Sequence, residues 1–117
     1  MKNFKKLKIW QKGFQIAVET YKITKEFPIE EKYVLISQIH RSAISISSNI
    51  AEGSSRRSQK DYYRFIEIAL GSCFELESQF LIASELDFGN KEKVENILQE
   101  IDEEQKMLIA FMKRLES

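Results

Sequence analysis

At 117 residues, 43% of them hydrophobic, the chain can bury one core but not two, so residues 1–117 are expected to form a single domain. One proline and four glycines exclude a disordered chain and are too few turn residues for an all-β fold. The 18 basic and 18 acidic residues cancel, but unevenly: residues 1–60 carry 12 Lys/Arg against 5 Asp/Glu, and residues 61–117 carry 6 against 13. A basic half marks an anionic partner, or it is neutralised by the acidic half within or between subunits. Cys73 is the single cysteine, so no internal disulfide points to an oxidising compartment. Met1 to Trp10 holds four lysines and no apolar run, unlike a secretory signal. No apolar stretch approaches the roughly 18 residues that a membrane span needs. A cytoplasmic protein without a membrane partner is the expectation.

In chain order, Leu7, Trp10, Phe14, Ala17 and Tyr21 follow a 3-4-3-4 spacing that predicts one face of a first helix, with Ile9, Ile16 and Ile23 as a second row. Phe27-Pro28 ends it, because the residue before proline disfavours the helical region. A second helix is predicted from Glu30-Glu31, whose carboxylates suit the positive end of a helix dipole. Leu35, Ile39, Ala43, Ile46 and Ile50 form its stripe, and Gly53 closes it in a left-handed conformation. Its expected length is roughly 33 Å. Ser58, followed by Asp61, reads as a capping box opening a third helix over Gln59–Leu86. Tyr62, Phe65, Ala69, Leu76, Phe80 and Ala83 form one row there, and Tyr63, Ile66, Leu70, Phe74 and Leu81 an adjacent one. Asp87-Phe88-Gly89-Asn90 is a turn, with Asn90 capping a fourth helix that carries Val94, Ile97, Ile101, Leu108, Phe111 and Leu115. The fold class is all-α: an antiparallel up-down-up-down four-helix bundle.

Bundles of this kind often house di-iron centres, which need Glu-x-x-His pairs on two helices. Here His40 is the only histidine, and Ser37 stands three residues before it. Structural zinc fails as well, because Cys73 and His40 are the only soft ligands and four are needed. His40 lies off the apolar stripe of its helix and reads as exposed or partner-facing. Cys73 follows Leu70-Gly71-Ser72 and reads as packing, since no motif supplies it with a base. Gly53-Ser54-Ser55-Arg56 lacks the glycine spacing and Lys-Ser/Thr ending of a phosphate loop. No enzyme activity, cofactor or metal is expected.

Two kinds of contact surface remain. Arg56, Arg57, Lys60 and Arg64 surround the turn after the second helix, and Lys5, Lys6, Lys8 and Lys12 cluster at the start of the first. These eight are the candidate phosphate contacts, each releasing counterions on binding. Short connections are expected to set the two clusters at opposite ends of a subunit, so that they join only across subunits. The apolar rows on helices one and three are wider than the roughly 100° stripe a bundle helix buries, which points to self-association. Ile9, Ile16, Tyr63 and Phe74 are its candidate contacts. Arg41, Ser45 and Glu52, on a side of helix two with Ser48, complete the set as a close polar contact.

The chain also resembles a known family. Leu7-x-x-Trp10-Gln11-Lys12, Phe27-Pro28, Gln38-Ile39-x-Arg41-Ser42-Ala43, Ser48-Asn49-Ile50-Ala51-Glu52-Gly53 and Ala69-Leu70-Gly71-Ser72-x-x-Glu75-Leu76-Glu77 occur in order over nearly its whole length. They resemble the bundle proteins encoded in intervening sequences of large-subunit ribosomal RNA genes, and are similar to the accessory variability proteins of diversity-generating retroelements. The resemblance implies a ring-like homopentamer with a suspected nucleic-acid or ribonucleoprotein role and no known catalysis. Members are often strongly basic, whereas this chain is neutral; His40 stands where a second arginine beside Arg41 is common, and Ser47 where proline is usual. The first two departures count against nucleic-acid binding. The expected function is a non-enzymatic, homo-oligomeric scaffold that binds RNA or DNA, directly or through a protein partner. The alternative is a protein–protein interaction module that binds no nucleic acid.

Overall fold

The computed structural model describes residues 3–116, and the regular elements among them are all helical. A single 3-10 turn at Phe4–Lys6 leads into α1, Lys8–Thr24. Another at Ile29–Glu31 precedes α2, Leu35–Ser54, and then come α3, Gln59–Glu85, and α4, Lys91–Glu116. Cross-helix contacts fix the antiparallel order. Thr24 meets His40 between α1 and α2, and Ser45 meets Ser72 between α2 and α3. Gln105 donates to Glu77 between α4 and α3, and Lys12 reaches Glu100 and Glu103 between α1 and α4. The result is a rod-shaped bundle of 44 × 22 × 20 Å.

Each helix buries the stripe that its spacing creates. Ile39, Ala43, Ile46 and Ile50 of α2 face Ile66, Ala69, Cys73, Leu76 and Phe80 of α3, with Val94, Ile97, Ile101 and Leu108 of α4 closing the core. Burying an Ile, Leu or Phe side chain contributes about 1.5–3 kcal/mol. Helix α1 departs from the expectation. Its core row is Ile9, Ile16 and Ile23, while Phe14 and Tyr21 of the longer row stay about half exposed. Gly13 and Thr20 share the isoleucine row. A Cβ at Gly13 would stand only 3.0 Å from Ile46 Cγ2, so this thin side of α1 is the one that fits tightly against α2.

Three boundaries also differ from the sequence reading. Helix α1 stops at Thr24, and the chain tightens through Phe27 N–H to Thr24 O (3.1 Å), which folds the Phe27 ring back into the core. Helix α2 starts at Leu35, leaving Glu30 and Glu31 in the preceding 3-10 turn. Gly53 lies inside α2 and has no positive φ, so it does not close the helix in the left-handed region. Its value is the absent side chain: a Cβ there would sit 2.8 Å from Phe65 Cβ. The left-handed positions are Asp87 and Gly89, in the α3–α4 turn. The two expected caps form, with Ser58 Oγ accepting from Asp61 N–H at 3.1 Å and Asn90 Oδ1 from Lys93 N–H at 3.0 Å.

Candidate nucleic-acid interface

In an up-down-up-down bundle the first helix starts at the end where the second helix finishes. The two basic clusters therefore share one end of this subunit, and the expectation that they lie at opposite ends is overturned. Tyr63, one turn into α3, donates to Glu116 at the end of α4 at 3.0 Å, and the Tyr62 and Phe111 rings meet edge to face at 5.5 Å. Lys6 and Lys8 line one groove with Met107, Phe111 and Arg114. Segments 3–8, 52–64 and 113–116 thus converge. They bring Lys5, Lys6, Lys8, Arg56, Arg57, Lys60, Arg64, Lys113 and Arg114 together against only Glu52, Asp61 and Glu116.

These cations are held to different degrees. Lys5, Lys6, Lys8, Arg57, Lys60 and Arg64 are exposed. Arg56 pairs with Glu52 at 2.8 Å and lies over the Phe65 ring at 4.8 Å, so its guanidinium is fixed in place beside the turn. The Arg114 guanidinium lies over the Phe111 ring at 5.4 Å. Lys12 does not belong to this group. Its ammonium bridges Glu100 and Glu103 in the α1–α4 seam. Burial pulls its pKa down, but the hydrogen bonds to the two carboxylates outweigh that, and it titrates above the ordinary lysine value.

The expected subunit contacts divide in the same way. Ile9 and Ile16 are buried in the subunit's own core and offer no surface to another copy. The Ser45 hydroxyl lies 2.7 Å from the Ser72 hydroxyl and accepts from Asn49 Nδ2 at 2.9 Å, so this polar contact is made between helices of one subunit. Tyr63 is half buried on Glu116, while Arg41 and Glu52 are exposed. Phe74 is 52% exposed and shares an outer side of α3 with the exposed Leu81, while Ile68 and Ile82 are exposed on another side of the helix. Gly71, on the outer side of α3, has nothing within 4 Å of a built Cβ. A second apolar face, on α1, presents Phe14, Val18 and Tyr21.

His40 is half buried rather than exposed. Its ring stacks on Tyr21 with centroids 3.8 Å apart, and its Nε2 lies 2.8 Å from Thr24 Oγ1. Burial holds its pKa below the ordinary histidine value, so at neutral pH it adds no charge beside Arg41. Cys73 is fully buried, and burial, reinforced by the charges of Glu104 and Glu77, pushes its thiol far up. It packs and stays protonated. The residue missed from the sequence is Glu104, whose side chain is wholly buried. It follows Asp102-Glu103, which reads as a solvated acidic run. The signal was present in the register: Ile97, Ile101, Glu104 and Leu108 follow the 4-3-4 spacing of one buried stripe.

The fold and site define an all-helical four-helix bundle with a basic end and two uncovered apolar faces. Residues 5–110 match the family model of the 23S rRNA-intervening sequence proteins, and the chain belongs to that family. It is also similar to the 1.70 Å crystal structure of a protein of unknown function from the S23 ribosomal protein family of Bacteroides thetaiotaomicron VPI-5482. The TM-score is 0.83 at 29% identity, covering 90% of this chain and 98% of that one. No curated protein matches the chain significantly. No helix among the described residues is long and apolar enough to cross a membrane.

Proposed function

We propose that this protein is a non-enzymatic scaffold that associates with copies of itself and holds RNA or DNA by its phosphates, with Lys5, Lys6, Lys8, Arg56, Arg57, Lys60 and Arg64 as the contacts. The convergence of both basic clusters at one end of a single subunit carries this reading. Net neutrality does not weaken it, because phosphates respond to the local field, and the acidic excess lies elsewhere on the rod. The apolar faces on α1 and α3 support self-association. The two helices stand on the diagonal of the bundle, so the faces differ in composition and direction. Contacts between two unlike patches close into rings when the rotation permits. A ring of five is the stoichiometry implied by the family resemblance.

The test is light-scattering mass in line with size exclusion, repeated with single- and double-stranded RNA and DNA across a salt series. The expected result is an oligomer that shifts with nucleic acid at low salt and loses it as salt rises. Replacing both Arg57 and Lys60 by Ala should weaken binding on every sequence alike and flatten the log–log salt slope by about 2, one for each lost phosphate contact. Lys12→Met should leave that slope unchanged. An oligomer indifferent to all four nucleic acids refutes phosphate binding and moves the function to a protein partner.

A further inference from the structure

Both carboxylate oxygens of Glu104 lack a hydrogen-bond partner among the described residues, and the side chain has no exposed surface. Every helix of the bundle reaches the space around it. From α1 comes Gly13, where a Cβ would lie 3.1 Å from Glu104 Oε2, so the missing side chain makes the niche that the carboxyl fills. Lys12 is beside it, already bound to Glu100 and Glu103. From α2 comes Ile46, whose Cγ2 would lie 3.0 Å from the same Cβ. The titratable residues of α2 stand elsewhere: His40 on Tyr21, Arg41 on the exposed side, and Glu52 on Arg56. From α3 come Cys73, whose thiol feels the charge of Glu104, and Glu77, which accepts from Gln105 at 2.8 Å. An ionised Glu104 would be the third α4 carboxylate around a single ammonium, and the only one of the three shut away from water.

We infer that Glu104 is a proton-operated latch on the α1–α4 seam: as a neutral acid it lets the helices close, and as an anion it forces them apart. A charge buried without hydrogen bonds is among the most unfavourable states a side chain can occupy. The cheapest relief here is motion. Helix α1 carries the niche glycine and the one nearby cation, so water can reach Glu104 if α1 and α4 separate. The same seam already opens as a groove a turn further on, lined by Gln15, Ile16, Lys93, Ile97 and Glu100. Burial pushes the Glu104 carboxyl up to about 8, with Lys12 pulling the other way. The sign follows: the closed form is fully favoured below the ordinary carboxyl value of 4.5 and loses that advantage as pH rises through about 8. Between those limits the constant for closing the seam falls about tenfold per pH unit.

Hydrogen–deuterium exchange of the full chain at pH 6.5 and 9, corrected for intrinsic exchange rates, tests the latch. At pH 9 the wild type should lose protection in α1 and α4 while α2 and α3 keep theirs, and Glu104→Gln should hold all four helices protected at both pH values. A wild type equally protected at both pH values, or a Glu104→Gln protein with the same pH response, overturns the inference. Carboxyl carbon NMR of the wild type gives a reading that needs no variant. A Glu104 resonance titrating near 8 agrees with the latch, and one titrating near 4.5 refutes it.

Discussion

Gly53 has no room for a methyl group. The atom that an alanine Cβ would meet, at 2.8 Å, is the Cβ of Phe65, which moves only with the α3 backbone. Alanine is worth about 1 kcal/mol over glycine in a helix interior, but overpacking of this kind costs about 1–3 kcal/mol. Gly53→Ala should therefore destabilise the fold by about 1 kcal/mol in urea unfolding. A stabilised variant would show that α2 and α3 separate freely at that point. The sequence announces a glycine there but not its reason, because the neighbour that excludes a side chain sits on another helix. Lys12 illustrates the same limit. Its charge is plain, but its partners Glu100 and Glu103 lie some 90 residues away, and only tertiary packing decides that it is neutralised and not offered to a ligand.

At the scale of elements, the α3–α4 turn is the most tightly specified. Phe88 N–H bonds Ala83 O at 2.9 Å and Asp87 N–H bonds Ser84 O at 3.1 Å, the paired closure of a Schellman turn with Asp87 at its left-handed position (φ 58°). An L side chain in that region costs roughly 1–2 kcal/mol, partly offset by the larger unfolded-state entropy of glycine. Asp87→Gly should raise stability by about 0.5–1 kcal/mol, read as a higher urea midpoint at unchanged slope. A lower midpoint would mean that the carboxylate contributes something its surroundings do not reveal. The helices themselves were legible, because apolar spacing and capping residues act locally: Ser58 and Asn90 stand where the hydrogen bonds form. The faces were less so. On α1 both rows are apolar, and the choice of Ile9, Ile16 and Ile23 for the core depended on Gly13 and Thr20 lying between them and on the shape of α2.

For the whole molecule, the surfaces that matter are those the bundle leaves uncovered. Phe74 and Leu81 are 52% and 53% exposed on α3, so replacing both by Asp gives up about half of each side chain's burial and should cost the fold about 2–3 kcal/mol. The same change puts two charges into the proposed subunit contact. The expected outcome is a fall in light-scattering mass toward one subunit with helical circular dichroism retained; an unchanged mass would move the contact away from this face. Basic residues gather at one end of the 44 Å rod, and because the formal net charge is zero the balancing acidic residues lie along the rest of it. A uniform field exerts no net force on such a body, only a torque. If it binds phosphates as proposed, the molecule should turn near a polyanion before it is drawn in, its basic end leading and its flanks standing outward. In the proposed assembly, copies aligned in this way along a strand would present their apolar sides to one another, and the orienting charge would then also promote their lateral association.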